Sequence, residues 1–389
     1  MGRARKRGID VRIGSTIFIT FIAALVFNSS LYGTSAAEIA RYEPLSPPPL
    51  SAEAVFVTDL SSGTELFALN ADAPLPPASL TKIVSALVVL ERANVDDIVE
   101  ILKDDMVSVE ESQVGLVAGD RLSVRDLLFG MLIPSGNDAT LALARHVGAS
   151  ELGQSPPPDV AVAKFIDLMN EKAAELGATA SHFANPTGID GDGHVMSARD
   201  LAIVTAAALQ DPLFSEIVAT PNAVLASEVL PDGYPVATTN TLLLEGAVNG
   251  VKTGTTPRAG GCLVTSFAVG PNDIVAVVLG SEISESSDGF QENSARFADT
   301  RALLNAVSAD YVWLDPATPG VVPGLVEELS VWDVDLAAGD LLPVPAASAA
   351  EIRYRLVLEP PSSPENPAGQ VQFYVGEELL SERSALQLS

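Results

Sequence analysis

Cysteine, histidine and basic residues are all scarce in this sequence of 389 residues. Its single cysteine, Cys262, excludes an intramolecular disulfide, so packing must stabilise the fold. The three histidines, His146, His182 and His194, lack the spacing of paired zinc ligands, so we expect no bound metal. We expect these histidines on the surface or in turns, and we expect no cofactor. Only 22 Lys and Arg stand against 50 Asp and Glu, and the net charge of -28 argues against nucleic acid as a partner.

The basic residues that are present cluster at the N-terminus. "MGRARKRGIDVR" is followed by the apolar run "IGSTIFITFIAALVF" and then by the small residues of "YGTSAAE". This order is typical of an export signal, so we predict a signal peptide over residues 1–37, cleaved after Ala36 or Ala37. The alternative is an uncleaved anchor over residues 13–32, because about 20 residues can span a bilayer. Either reading predicts an exported protein, in the periplasm or on the outer face of the cytoplasmic membrane, with N-terminal membrane attachment in the second case.

Strand-like and helix-like segments follow one another in blocks along the rest of the chain. Two β-rich runs flank Gly63, helical patterns follow, and "GCLVTSFAV" and "DIVAVVLGS" form a second predicted hairpin before a last helix, "SARFADTRALLNAV". This order predicts an α+β fold in which helices cover an antiparallel sheet. Because the composition changes near Asp315, we predict a larger domain over residues 38–309 and a small all-β domain over residues 310–389.

The helix that begins in "PPASLTKIVSALVVLE" carries a lysine in its first turn, although the rest of it is apolar. If Ser79 caps this helix, Lys82 lies on the same face three residues later. The helix dipole and burial both disfavour a charged amine there, so the pKa of Lys82 is expected to be low. A neutral amine beside a hydroxyl is a general base beside a nucleophile, but a capping serine and a lysine that reaches solvent have the same spacing.

Two further motifs favour the catalytic interpretation. "SGN" stands where Pro134 interrupts a helical pattern, so Ser135 and Asn137 can project into a cleft. "KTG", which runs from Lys252 to Gly254, opens a predicted hairpin, and Gly254 would let the backbone of a ligand lie close to the strand. S-x-x-K, a serine–x–asparagine motif and K-T-G together are the signature of penicillin-binding proteins and class A β-lactamases.

With these motifs the sequence resembles the serine D-alanyl-D-alanine carboxypeptidases, the low-molecular-mass penicillin-binding proteins of the β-lactamase/transpeptidase-like superfamily. The resemblance covers residues 52–307 and includes "NPTGIDGDGH", "SARDLA", "AGGCLV" and "IVAVVLG", while the β-rich tail resembles the family's C-terminal domain more loosely. It implies an enzyme that removes the terminal D-alanine from peptidoglycan stem peptides. It also implies β-lactam antibiotics as acylating inhibitors and no cofactor.

The resemblance further implies a role for each residue of the first two motifs. Ser79 would attack the carbonyl between the two terminal D-alanines, and Lys82 would take its proton. Ser135 would relay a proton to the departing D-alanine. Asn137 would hold the substrate amide and orient Lys82, while Lys252 would support the proton network.

Recognition of the terminal carboxylate is implied for the K-T-G strand. Thr253 and Thr255 would bind this carboxylate, with Arg296 strengthening its binding, and the backbone N–H groups of Ser79 and Thr255 would form the oxyanion hole. Relatives often carry histidine or tyrosine at the position of Thr255, which leaves the pH dependence and the substrate preference open. The usual histidine of the "NPHG" loop is Thr187 in this chain.

Three other functions share part of this pattern. A DD-endopeptidase that cuts peptide cross-links has the same motifs and differs only in its products. A non-catalytic wall-binding or penicillin-sensing protein would keep the fold, but this chain retains all the motif residues. A class A β-lactamase would have aspartate in place of Gly136 and an E-x-x-L-N motif, whereas the similar string at Glu245 directly precedes K-T-G. The sequence therefore favours a DD-carboxypeptidase.

Overall fold

The computed structural model describes residues 41–153, 155–285, 291–292, 294–337, 339, 341–358 and 368–387. The chain from Arg41 onward forms one compact unit. The predicted signal peptide or anchor over residues 1–37 lies outside the described residues.

Strands are present at both ends of the described chain, and helices occupy most of its middle. The strands are β1 (Ala54–Asp59), β2 (Glu65–Leu69), β3 (Ile98–Glu100), β4 (Arg121–Ser123), β5 (Asn222–Leu225), β6 (Tyr234–Ala237), β7 (Val251–Thr256), β8 (Gly260–Val269), β9 (Asn272–Ser281), β10 (Ser284–Glu285), β11 (Gln291–Glu292), β12 (Tyr311–Leu314), β13 (Val334–Leu336), β14 (Leu342–Pro345), β15 (Ile352–Leu358), β16 (Gly369–Val375) and β17 (Glu378–Gln387). The α-helices are α1 (Lys82–Arg92), α2 (Val124–Leu132), α3 (Asn137–Leu152), α4 (Pro158–Glu175), α5 (Ala198–Leu209), α6 (Pro212–Val218), α7 (Thr241–Leu244), α8 (Ala295–Asp310) and α9 (Leu325–Val331).

A five-stranded antiparallel sheet with the order β2-β1-β9-β8-β7 forms the centre of the molecule. The two predicted hairpins, β1–β2 and β8–β9, join through the pairing of β1 with β9, in which Phe56 lies opposite Val277. The sheet therefore unites segments from both ends of the predicted peptidase domain. β7, which carries the K-T-G motif, forms one edge of this sheet beside β8.

Two hydrophobic cores lie on opposite faces of the central sheet because successive strand side chains point to opposite sides. Phe56 and Val277 belong to the core beneath helices α1 to α6, while Val55 and Val278 belong to the core that includes Leu303 of α8. Helix α1 is surrounded by protein, and residues 82–89 are all buried. The predicted α+β arrangement, an antiparallel sheet covered by helices, is confirmed.

Capping and a helix break define several helix boundaries in the structure. Helices α2 and α3 are separated by residues 133–136, at the predicted break. Helix α5 begins after Ser197, whose Oγ accepts a hydrogen bond of 3.1 Å from the backbone N–H of Asp200. Within the described ranges no single helix is long and apolar enough to cross a membrane. Helices α5 and α6 reach that length and apolar composition only together, and they are bent by 112° at their junction.

The C-terminal part of the chain contains a second sheet, with the order β13-β17-β16-β15, and its own hydrophobic core. This part also includes helix α9, so it is not composed of strands alone as the sequence predicted. Strand β12 contributes Tyr311 to a core of the central sheet and Val312 to the periphery of the C-terminal core. The domain boundary near residue 310 stays a prediction.

Candidate active site

Ser79 and Lys82 lie at the junction of two helical segments. Ser79 is within a short 3-10 helix (Ala78–Thr81), and Lys82 is the first residue of α1. Thr81 occupies the N-cap position of α1 and makes no side-chain capping bond, so the expectation that Ser79 caps this helix is wrong. The tighter 3-10 turn nevertheless brings the side chains of residues three apart together, and Lys82 Nζ lies 3.1 Å from Ser79 Oγ.

The amine of Lys82 is completely buried and makes two further hydrogen bonds. Nζ donates to Asn137 Oδ1 at 2.7 Å and to the backbone carbonyl of Thr187 at 2.7 Å. Burial lowers the pKa of Lys82 to about 7, although the negative charges of Glu111 and Asp138 raise it. The low pKa predicted from the sequence is thus present, and burial is its main cause. Because Thr187 contributes its carbonyl, its departure from histidine does not remove this contact.

Ser135 and Asn137 reach the site from the break between α2 and α3. Ser135 has a left-handed φ of 67° and is buried, and its Oγ has no hydrogen-bond partner among the described residues. Buried hydroxyls are rarely left unpaired, so this group is available to a ligand. Asn137, the first residue of α3, donates through Nδ2 to Glu111 Oε2 at 2.7 Å. Glu111 lies outside the three predicted motifs.

Strand β7 packs directly against the 3-10 helix that carries Ser79. A Cβ atom at Gly254 would lie 3.0 Å from the backbone nitrogen of Ser79 and 3.1 Å from the carbonyl of Pro77. Gly254 therefore allows β7 and the 3-10 helix to approach each other closely. The sequence led us to expect that this glycine makes room for a ligand instead. Lys252 is buried in the same strand and donates through Nζ to the carbonyl of Thr253 at 2.9 Å.

Three basic side chains, Lys82, Lys252 and Arg296, interact with one another beside β7. Burial lowers the pKa of Lys252 well below its usual value, and the nearby charges of Lys82 and Arg296 lower it further. Neighbouring cations thus lower the pKa of Lys252, whereas the charges that act on Lys82 are acidic and raise its pKa. Arg296 is buried in α8 with a pKa lowered to about 10 by burial, so it remains charged at neutral pH.

Arg296 holds the end of the K-T-G strand. Its Nη1 donates to the carbonyl of Gly254 at 2.8 Å and to Thr255 Oγ1, while its Nε is buried without a partner among the described residues. Thr253 Oγ1 shares a hydrogen bond with Thr239 Oγ1. The structure therefore brings Thr253, Thr255 and Arg296 to the same edge of the sheet. Thr239 also lies at this edge, beside Thr253, and no sequence motif pointed to it.

His194 ends a turn, as predicted, with its backbone N–H donating to the carbonyl of Gly191 at 3.2 Å, but its side chain is buried, so the surface alternative is wrong. Its Nδ1 accepts from the backbone N–H of Ala184 at 3.0 Å, which leaves Nε2 to donate to Thr81 Oγ1 at 2.8 Å. Thr81 Oγ1 in turn donates to the carbonyl of Ala78 at 2.9 Å. Ala78 has a φ of 50° and precedes Ser79, so this chain of hydrogen bonds supports the turn at Ser79. Among the described residues, no group of three or more metal-ligating side chains is placed to hold an ion.

Comparison with known proteins agrees with this geometry. The family model described as D-alanyl-D-alanine carboxypeptidase matches residues 42–283. The chain belongs to this family. It is 29% identical over 382 residues to D-alanyl-D-alanine carboxypeptidase DacD of Salmonella typhimurium, a match that covers 93% of this chain and 92% of that protein. It is 32% identical over 288 residues to DacD of Escherichia coli, covering 71% of this chain and 69% of that protein.

Solved structures share this fold. The DD-transpeptidase of Streptomyces K15 superposes with a TM-score of 0.60 and 30% identity, covering 67% of this chain and 98% of that one. Penicillin binding protein 5 from Haemophilus influenzae superposes with a TM-score of 0.69 over 89% of this chain and 98% of that one, and at 24% identity this likeness shows the fold. The predicted family, fold class and serine-type carboxypeptidase activity are confirmed by these comparisons.

Proposed function

We propose that Ser79 of this D-alanyl-D-alanine carboxypeptidase is the nucleophile and that Lys82 is its general base. The observation that carries this proposal is the set of partners around Lys82 Nζ. Asn137 Oδ1 and the carbonyl of Thr187 can only accept hydrogen bonds, so they take the two N–H groups of a neutral amine. The lone pair is then left for the remaining partner, Ser79 Oγ at 3.1 Å, whose proton it can accept.

The reaction begins when the Ser79 oxygen attacks the carbonyl between the two terminal D-alanines, and Lys82 takes the hydroxyl proton. Backbone N–H groups of Ser79 and Thr255 would stabilise the negative charge that develops on the carbonyl oxygen, each contributing about 3 kcal/mol. Support comes from the packing of β7 against the 3-10 helix at Gly254, which brings the two segments together.

Departure of the terminal D-alanine needs a proton on its amine. The unpaired and buried hydroxyl of Ser135 is suited to relay this proton, with Lys82 and Lys252 as its source. Water then attacks the acyl-enzyme at Ser79, and the shortened stem peptide leaves. Asn137 would hold the substrate's amide through the N–H of Nδ2 that Glu111 does not occupy.

The terminal carboxylate of the substrate is proposed to bind at the open edge of β7. Thr253 and Thr255 would provide hydroxyl donors there, and Lys252 and Arg296 would provide positive charge. Such a local cluster is necessary because the chain as a whole has a net charge of -28, which repels an anionic peptide. The contact of Arg296 Nη1 with Thr255 Oγ1 supports this arrangement.

The substrate is proposed to be a peptidoglycan stem peptide that ends in D-Ala-D-Ala, with β-lactams as acylating inhibitors. This places the working enzyme outside the cytoplasmic membrane, in the periplasm or on the outer face of that membrane. The basic, apolar and small-residue order of residues 1–37 supports export.

Labelling with a fluorescent penicillin, followed by mass analysis of a peptide ending in two D-alanines, tests this proposal. Wild-type protein and the control Ser61→Ala, which changes an exposed turn serine, are expected to be labelled and to release D-alanine. Ser79→Ala is expected to lose both properties. Full labelling of Ser79→Ala would refute the assignment of the nucleophile. Labelling without any product would indicate a penicillin-sensing protein, and cleavage of cross-linked muropeptides alone would indicate an endopeptidase.

A further inference from the structure

Glu111 completes a line of hydrogen bonds that ends at the nucleophile. Its carboxylate accepts from Asn137 Nδ2 at 2.7 Å, Asn137 Oδ1 accepts from Lys82 Nζ at 2.7 Å, and Nζ lies 3.1 Å from Ser79 Oγ. Asn137 is buried and Glu111 is half-buried, so the hydrogen bond between their side chains is partly shielded from solvent. None of the three catalytic motifs contains Glu111.

The loop that carries Glu111 is held in place by the residues next to Asn137. The carboxylate of Asp138 accepts hydrogen bonds of 2.9 to 3.0 Å from the backbone N–H groups of Val114, Gly115 and Leu116. The backbone N–H of Asn137 donates to the carbonyl of Ser112 at 2.8 Å. The position of Glu111 therefore depends on the start of α3, the same segment that supplies Asn137 to the site.

The side-chain amide of Asn137 has two orientations, and Glu111 distinguishes between them. In the observed one, the amide oxygen faces Lys82 and the amide nitrogen faces the carboxylate. In the flipped one, the amide oxygen would face the carboxylate, and the amide N–H would donate to the lone pair of a neutral Lys82. The flipped amide would thus occupy the lone pair that the proposed mechanism directs at Ser79.

We propose that Glu111 is a positioning residue, which holds Asn137 in the orientation that keeps the Lys82 lone pair free for Ser79. This inference rests on the proposed acylation of Ser79. Glu111 acts through Asn137 and needs no contact with the substrate. Its negative charge has a second effect, since it also favours the charged form of Lys82.

The charges around Lys82 determine the sign of this second effect. Glu111 and Asp138 raise its pKa, and it also interacts with the amine of Lys252 on β7, whose own pKa is lowered by burial. Removing the charge of Glu111 therefore lowers the pKa of Lys82 and increases the neutral fraction below pH 7. The acid limb of the acylation rate is expected to move to lower pH by about one unit, because Glu111 is only half-buried.

The rate of acylation by a fluorescent penicillin, measured from pH 5 to pH 9, separates the two effects. Glu111→Gln removes the charge, so the acid limb is expected to move to lower pH. Its amide oxygen can still accept from Asn137, but its amide N–H can also pair with the flipped orientation, so the plateau rate is expected to fall by less than in Glu111→Ala. Glu111→Ala removes the acceptor as well, so the plateau rate above pH 8 is expected to fall about tenfold. Glu110→Gln, an exposed neighbour, provides the matched control and is expected to follow the wild-type profile.

The inference is wrong if Glu111→Gln has the wild-type acid limb, or if Glu111→Ala keeps the wild-type plateau. A uniform loss of rate in both variants, with no movement of the acid limb, would show a purely structural role and would also overturn it. The acylation readout remains valid when the protein releases no D-alanine, so failure of the carboxypeptidase assignment is recognised separately by product analysis.

Discussion

Lys82 Nζ lies 3.1 Å from Ser79 Oγ, and the same nitrogen is completely buried. Burial lowers the pKa of this amine to about 7, so that Lys82 can act as a base towards Ser79 at neutral pH. A lysine that reached solvent from the same helix position would keep its proton and could not activate the serine.

The first prediction concerns this base. Acylation of the wild-type protein should rise with pH through about 7, because only neutral Lys82 can accept the proton. Lys82→Arg keeps a positive charge but cannot lose its proton near neutral pH, so acylation should fall about a thousandfold across the whole range. Stopped-flow measurement of penicillin acylation gives both results. A Lys82→Arg variant with substantial activity would exclude Lys82 as the base.

The second prediction concerns the contact between β7 and the 3-10 helix. Gly254→Ala would place a Cβ 3.0 Å from both Ala78 Cβ and the nitrogen of Ser79, so the strand must move away from the nucleophile. We expect a loss of about 1–3 kcal/mol in the free energy of unfolding, together with slower acylation. Gly191→Ala is the control, since its Cβ would have no neighbour closer than 3.6 Å. Equal behaviour of the two variants in urea unfolding and acylation would contradict this role of Gly254.

The third prediction concerns His194. Burial lowers its pKa to about 4, whereas an unfolded chain has a histidine pKa of about 6.5. The unfolded state therefore binds more protons between these values, and the free energy of unfolding should decrease by about 3 kcal/mol as the pH falls from 6.5 to 4. His194→Gln should show a weaker decrease in urea unfolding. An NMR titration that gives His194 an ordinary pKa would contradict the buried contact with Thr81.

The fourth prediction concerns the loop beside Asn137. Asp138→Ala removes the acceptor of four backbone N–H groups, one at Ala139 and three in the loop at Val114, Gly115 and Leu116. We expect a loss of about 2–4 kcal/mol in the free energy of unfolding and faster proteolysis within residues 112–116. Asp96→Ala changes an exposed carboxylate and should have little effect on either measurement. A loop that resists proteolysis in Asp138→Ala would show that other contacts hold it.

Much of the fold was predictable because its signals are local. The β-rich runs indicated both hairpins, and Pro134 marked the break after α2. The presence of α9 in the C-terminal part was missed, since its seven residues carry only a short apolar pattern. The catalytic motifs were also recognisable, because each is a short string with its own chemistry.

Contacts between distant segments were not predictable from these patterns. Glu111 meets Asn137 across 26 positions, and Thr81 meets His194 across 113. No spacing along one chain marks such pairs, because they depend on how helices and loops pack. The role of Gly254 was not predictable for the same reason. Its close neighbour is the backbone of Ser79, and the sequence does not distinguish this contact from a contact with a ligand.

The sequence by itself determined which reactive groups this protein has: a serine and a lysine three residues apart, and the two motifs that accompany them. Only the tertiary structure decided what those groups can do. It buried the lysine, gave two of its hydrogen bonds to acceptors that cannot donate, and left Ser79 as the remaining partner. A pKa and the direction of a lone pair depend on desolvation and on distances in space, and neither is set by the order of residues along a helix.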